Sequence, residues 1–483
     1  MRGASATNGR AMFDVLPGGK VPLKDTALMG LQNVFVMTGC FVFPGIMGKS
    51  FDLPVDTVAD LYGATFIGCG LTTLLIAALF GRMPLVAGPY AGVFAALLSF
   101  GHMPGSNLGT GFGSLCVASL LWCLLAIPIR GVSGISFLAR TVRNPVIAGA
   151  IVMLVMMQIA DLAFPHWLGK TKDPTFPLIN LGAGLVTAIV LMMLTISRVT
   201  IFRRLALLIA LAAGALTFEY FHAIDFGAVA SSPWFVLPHF FAFGFSVDPQ
   251  YVFVFFLILV AINIQTLTLM GVVGKWTGEE MSPARLSWGV FSMMLGSALA
   301  SCIGAFSNLP YPANIALLRS TRVASRQVTI ATGIILIVMG FCTKVDYIFV
   351  LLPVPVLAAA ATVLFGMVFV HGVEMLGEAD WNQRQLAITG FSLMLGFGTL
   401  FLEPEVLNEF PLVVRLLLKQ PIIVGVASLV IVSAILPGRP SRVVEEPLPT
   451  PAPDLALTAQ SLQSAGGSSR PNPAPAHGAA GGA

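Results

Sequence analysis

The residues of this chain that could do chemistry are mostly neutral. Gln32 and Asn33, Asn263, Gln265 and Thr266, and Asn308, Tyr311 and Asn314 sit in or beside long apolar stretches, and Tyr90 follows Gly88-Pro89. A carboxamide offers two donors and a two-lone-pair acceptor, which suits a flat, uncharged solute with N–H and C=O groups. Tyr90 and Tyr311 could stack on such a ring. Each amide also has a plainer use, because Asn and Gln often bond across packed helices. Asn263 and Gln265 are two residues apart and point to different helix faces, so both cannot easily reach one ligand; Gln265 is the preferred member. An ionised group at mid-membrane costs several kcal/mol and usually marks a coupling site. No Asp or Glu falls deep in an apolar stretch, and all six His lie at stretch ends, in loops or in the tail. No Ser-His-Asp, His-Glu-x-x-His, Walker or Cys-pair pattern lies in these stretches, so neither an enzyme nor a cofactor or metal is expected. The six cysteines are expected to be buried, reduced packing residues.

These residues must be positioned by helices in lipid. Of 483 residues, 56% are hydrophobic and 10% charged, against about 25% charged in a soluble domain. A span needs about 20 apolar residues, fewer where a helix is broken. Such runs occur near 27–47, 60–80, 84–100, 112–129, 144–163, 177–197, 203–222, 250–274, 286–306, 312–320, 327–343, 347–371, 385–402 and 421–437. With the N-terminus in the cytoplasm, alternation leaves only Lys49, Lys170, Lys172, Lys344, Arg415 and Lys419 outside, of 26 basic residues. That bias predicts about 14 spans with both termini inside. Arg322 is expected to anchor at the headgroups. Residues 1–26 form a polar N-terminal segment, 27–437 the membrane domain, and 438–483 a Pro/Ala/Ser/Gly-rich tail that cannot bury a core.

Seven spans per half would invert the second half relative to the first, giving repeats of about 27–222 and 250–437. The third span of each half is interrupted: Met83-Pro84-Leu85-Val86-Ala87-Gly88-Pro89-Tyr90 and Asn308-Leu309-Pro310-Tyr311-Pro312-Ala313-Asn314. Proline removes a backbone donor and disfavours helix before it. Irregular backbone is tolerated at membrane depth only against protein or a water-filled cavity. Matched interruptions point to a transporter's binding site, with free N–H groups at the half-helix starts. Asn314 has the strongest case for a site role because it directly follows the second break.

At these residues the chain resembles the nucleobase–ascorbate transporter family, the xanthine and uracil permeases. Gly30-Leu31-Gln32-Asn33-Val34 resembles the opening Gln-His helix, Arg82-Met83-Pro84-Leu85-Val86-Ala87-Gly88 the third span, and Asn144-Pro145-Val146-Ile147-Ala148-Gly149 the start of the fifth. Ala313-Asn314-Ile315-Ala316-Leu317-Leu318-Arg319-Ser320-Thr321-Arg322 resembles the signature: Gln, Glu or Pro, then Asn, any residue, Gly, four of any kind, Thr, and Arg, Lys or Gly. Ala313 replaces its opening residue and Ala316 its Gly; Asn33 stands for the usual His, and Ile262 falls at the usual Glu of the eighth span. The resemblance implies an all-α fold of 14 spans in two inverted repeats. It also implies a core domain (spans one to four and eight to eleven), a gate domain, elevator-like movement, and dimers in many members. It implies a nucleobase-like substrate held between spans three and ten, and no nucleic-acid partner. The missing Glu leaves proton coupling weak, absent or carried elsewhere. The alternatives are an anion transporter of the same fold and a non-transporting sensor or scaffold.

Overall fold

The computed structural model describes residues 13–37, 41–101, 107–128, 133–135, 164–168, 177–199, 205–220, 233–279, 281–377 and 381–436, with isolated positions at 146–157 and 202. The polar ends, most of the fifth expected span with Asp161, and the Asn144-Pro145 stretch lie outside the described residues.

Helices dominate. In chain order they are α1 (Leu23–Met37), α2 (Val42–Ser50), α3 (Val55–Leu74), α4 (Ala91–Gly101), α5 (Leu108–Ala126), α6 (Leu178–Thr195) and α7 (Ala206–Glu219). Then follow α8 (Pro249–Thr277), α9 (Pro283–Cys302), α10 (Pro312–Thr321), α11 (Arg326–Phe341), α12 (Thr343–Val350) and α13 (Val354–Gly377). The described chain closes with α14 (Gln383–Gly398), α15 (Leu412–Leu418) and α16 (Pro421–Ile435). Their boundaries follow local chemistry. At α8, the Asp248 side chain accepts from the Gln250 N–H at 2.7 Å, Pro249 opens the helix, and Gly278 ends it at φ 71. Ser282 and Pro283 do the same for α9.

Val55–Leu79, which includes a π-helical turn at Leu75–Leu79, together with α5, α6, α8 and α13 are long and apolar enough to cross a membrane. The apolar helices α4, α7, α11 and α16 are shorter. The first expected span, 27–47, divides into α1 and α2, and the twelfth, 347–371, into α12 and α13.

Packing falls into three neighbourhoods, joined where α13 meets α2 and α16 meets α8. The α3 segment packs on α9 and α11, α5 on α8 and α9, and α1 on α11; separately, α6 packs on α7 and α13, and α14 on α16. Small residues let the α3 and α11 backbones approach. A methyl group on Gly70 would lie 2.6 Å from the Gly333 carbonyl oxygen, and one on Gly340 would lie 2.5 Å from the Gly63 carbonyl oxygen. Lipid gives no hydrophobic drive between helices, so this close dispersion contact stands in for it.

The all-α expectation needs one correction. The interrupted segments form two three-residue strands, β1 (Ala87–Pro89) and β2 (Asn308–Pro310), paired antiparallel with Gly88 opposite Leu309. The prolines prevent a helix, so the backbone there pairs across the two halves instead.

Candidate functional site

The site is built around that strand pair. Tyr90 N–H donates to the Ser307 carbonyl at 2.8 Å and Tyr311 N–H to the Val86 carbonyl at 2.8 Å, closing the ladder at both ends in equivalent fashion. The expected free N–H groups are therefore partly spent: these two amides bond each other's strand, because a buried backbone donor cannot be left unpaired cheaply. The helices α4 and α10 each begin two residues after the last residue of a strand. Since the strands run in opposite directions, the two helix starts lie at opposite ends of a pair roughly 10 Å long, at about 3.3 Å per residue.

Hydroxyls from neighbouring helices hold the strands, a set that sequence reading did not single out beyond Asn308. Asn308 Nδ2 donates to Thr72 Oγ1 at 2.9 Å, its backbone N–H to Ser297 Oγ at 3.1 Å, and Cys69 Sγ donates to its Oδ1 at 3.3 Å. Ala87 N–H donates to Thr73 Oγ1 at 3.0 Å, and Ser307 Oγ to Ser297 Oγ at 2.7 Å. The available signal was a Thr72-Thr73 pair and Ser297 in otherwise apolar helices, residue types that must find a partner in lipid.

Of the expected residues, two pairs distant in the chain touch. Asn314 Nδ2 donates to Asn33 Oδ1 at 2.8 Å and to the Asn33 carbonyl at 3.1 Å, tying α10 to α1. Gly88 lies beside Tyr311: a methyl there would be 3.4 Å from Tyr311 Cδ2, in ordinary contact, and 3.1 Å from Met37 Cε. Tyr90 and Ile262 belong to one apolar core with Leu309 and Ile315. Thr266 Oγ1 donates back to the Ile262 carbonyl at 2.8 Å and is thereby spent within its own helix. Gln32 is buried on α1 and Gln265 is half-buried on α8; among the described residues no hydrogen bond joins Gln265 to Asn314. Ala313 lies in the first turn of α10, and its side chain lies outside the described residues.

Three of the expected residues carry buried polar atoms with no hydrogen-bond partner among the described residues: Asn263 at Nδ2 and Oδ1, Asn314 at Oδ1 and Tyr90 at its hydroxyl. Asn263 is fully buried on α8, which packs against both β2 and α4. Of the two α8 amides, Asn263 is fully enclosed and Gln265 only half-buried. Leaving such a group unpaired costs about 1–3 kcal/mol. A cleft of about 630 Å³ opens elsewhere, beside Phe80, Arg82, Glu279, Arg285, Trp288 and Arg326, and holds none of the expected amides.

Other expectations divide. Arg322 caps α10 in the left-handed conformation at φ 58, and its carbonyl accepts from Asp14 N–H at 2.8 Å, so its backbone fastens the N-terminal segment. Of the cysteines, Cys69, Cys116 and Cys123 are buried, while Cys302 and Cys342 are only half-buried; Cys40 lies outside the described residues. Cys116 and Cys302 Sγ atoms stand 3.5 Å apart, a proximity no spacing announced.

Apolar helices gathered around two helices broken at a shared strand crossing define an integral membrane protein of the transporter class. The fold agrees with solved transporters. It matches the overall structure of SLC26A9 with a TM-score of 0.57 at 12% identity, covering 86% of this chain and 66% of that one. It also matches the murine Slc26a9 anion transporter in its inward-facing state, with a TM-score of 0.53 at 12% identity, covering 86% and 69%.

Residues 24–405 match the model of the Permease family of xanthine and uracil permeases, and the chain belongs to that family. It is 26% identical to the nucleobase transporter PlUacP of Paenibacillus larvae, over 82% of this chain and 91% of that protein. It is 26% identical to the xanthine permease XanQ of Escherichia coli (81% and 87%) and 24% identical to the uric acid transporter UacT of the same species (85% and 86%).

Proposed function

We propose that the chain carries a nucleobase or a closely related uncharged heterocycle across the inner membrane. The supporting observation is the coincidence of a strand crossing between two broken helices with enclosed amide atoms of Asn263 and Asn314 that lack partners. A flat solute with adjacent N–H and C=O groups would satisfy those atoms and recover their desolvation cost, which makes the orphan groups useful rather than merely unfavourable. Tyr311 beside Gly88 offers a ring face.

The wider architecture in this reading is 14 spans in two inverted repeats, with both termini in the cytoplasm. The equivalent hydrogen bonds of Tyr90 and Tyr311 about the strand crossing support the inversion. The packing of α3 on α11 matched by α5 on α9 supports it too. The separation of the α1–α5, α8–α11 neighbourhood from α6, α7 and α13, and from the α14–α16 pair, fits a core that slides past a gate. Arg82, Arg285 and Arg326 gather at one end, where basic residues face the cytoplasm.

Counterflow of labelled uracil or xanthine in proteoliposomes tests the reading. Wild type should exchange label, and Asn263→Ala and Asn314→Ala should each weaken apparent affinity by roughly 10- to 100-fold, about 1–3 kcal/mol of lost pairing. Thermal stabilisation by small anions alone, with no exchange of either base, overturns it in favour of an anion carrier.

A further inference from the structure

A second buried polar group lies far in sequence from the strand crossing. Asp346 lies in the first turn of the short helix α12, one residue before the twelfth expected span, and is only 3% exposed; its Oδ1 finds no partner. It lines a cavity of about 10 Å³, room for roughly one water molecule, together with Asp60 of α3 and the Gly63–Gly340 contact. A methyl on Gly63 would lie 2.9 Å from Asp346 Oδ2, so glycine is what admits the carboxyl between α3 and α11.

The segment Val236–Pro238 covers this cavity. Val236 N–H donates to the Phe341 carbonyl at 3.3 Å, Thr343 N–H donates to the Trp234 carbonyl at 3.2 Å, and Phe235 bridges to Cys342. The next residue, His239, reaches Asp60: Nδ1 to Oδ2 is 3.3 Å, with both side chains partly open to solvent. Of the other charged or titratable groups at this end, the Tyr62 hydroxyl is also buried without a hydrogen-bond partner. Asp56 of α3 accepts from the Tyr347 hydroxyl, Lys344 lies 5.0 Å over the Trp234 ring, and Tyr62 stands in the core against Gly45. No cation among these described groups faces Asp346 Oδ1.

We infer that Asp346 and Asp60 form a proton-binding site at the outer end of the core helices, Asp346 holding the proton inside and Asp60 with His239 passing it to solvent. In the exchange step the Asp346 O–H bond breaks with its electron pair left on oxygen. The proton bonds to a carboxylate oxygen of Asp60, directly or through one water, and then leaves to bulk water. Burial and the nearby Asp60 charge push the Asp346 carboxyl up to about 9, so it carries its proton at neutral pH. This site would supply the proton coupling that no carboxylate in the middle of the described spans can provide. That role rests on the permease reading above; the binding of the proton does not.

Infrared difference titration of the protein in liposomes tests the site without any cargo. Wild type should show a protonated-carboxyl band at neutral pH that fades with a midpoint near 9, Asp346→Asn should lack it, and Asp60→Asn should move its midpoint down. Absence of the band at neutral pH, or its survival in Asp346→Asn, overturns the proposal. Transport gives the second readout: Asp346→Asn should keep counterflow but lose accumulation driven by an inward proton gradient. Gradient-driven accumulation retained by that variant, or one driven only by sodium, also overturns it. A wild type that moves no base while its band titrates as described refutes the permease reading and leaves the proton site standing.

Discussion

At the scale of residues, the enclosed polar atoms without a partner include the amides of Asn263 and Asn314 and the Asp346 carboxyl on α12. The Asn33–Asn314 bond shows how an amide is used twice. Its Nδ2 fixes α10 against α1, while Oδ1 stays uncommitted. Asp346 has a consequence for stability. Its folded-state pKa, about 9, stands above the ordinary aspartate value of 3.8, so between those values the folded protein holds a proton that the unfolded chain has released. Stability therefore falls as pH rises through that window, by at most about 1.4 kcal/mol per pH unit. Melting temperature of the detergent-solubilised protein, followed from acid to alkaline pH, should decline in wild type and decline less in Asp346→Asn. Equal slopes would mean that Asp346 is ionised in the fold.

At the scale of elements, two contacts decide the arrangement. The strand crossing exists because prolines at 84, 89, 310 and 312 deny helix to both segments. The α3–α11 contact exists because glycine faces glycine at two levels, one of them beside Asp346. Gly70→Ala would drive a methyl to 2.6 Å from both the Gly333 carbonyl oxygen and Ile337 Cγ1. Forcing the helices apart should cost about 1–3 kcal/mol. A lowered melting temperature with weakened transport is expected; the same substitution at Gly271, where a methyl meets nothing within 4 Å, serves as the control. No difference between the two variants would show that the backbones are not in contact in the bilayer.

At the scale of the whole molecule, transport by sliding requires the α1–α5, α8–α11 neighbourhood to change contacts with the α6, α7 and α13 one. Phe43 on α2 and Phe365 on α13 face each other across that boundary, with ring centroids 5.8 Å apart. Cysteines placed at both positions in a background without the native thiols, joined by a short bifunctional reagent, should stop counterflow. Reduction of a cleavable linker should restore it. Full transport in the joined protein would exclude relative movement at this contact.

The sequence by itself determined that the chain lives in lipid, which segments are broken, and the family. Composition, span length and proline chemistry are local properties that need no knowledge of neighbours. The Ala313–Arg322 stretch kept enough of its signature to be recognised despite two substitutions. Sequence also marked Asn314, because a polar residue just past a helix break is conspicuous in an apolar chain. Only the tertiary structure decided that Asn263 rather than Gln265 is enclosed, since burial depends on which face of α8 meets β2 and α4. The pairing of Tyr90 and Tyr311 amides across the strands, the Thr72, Thr73 and Ser297 hydroxyls that hold them, and the isolation of Asp346 were likewise decided there. Each is a contact between segments distant in the chain, and the free energy of a polar group follows from the partners it meets rather than from its place in the sequence.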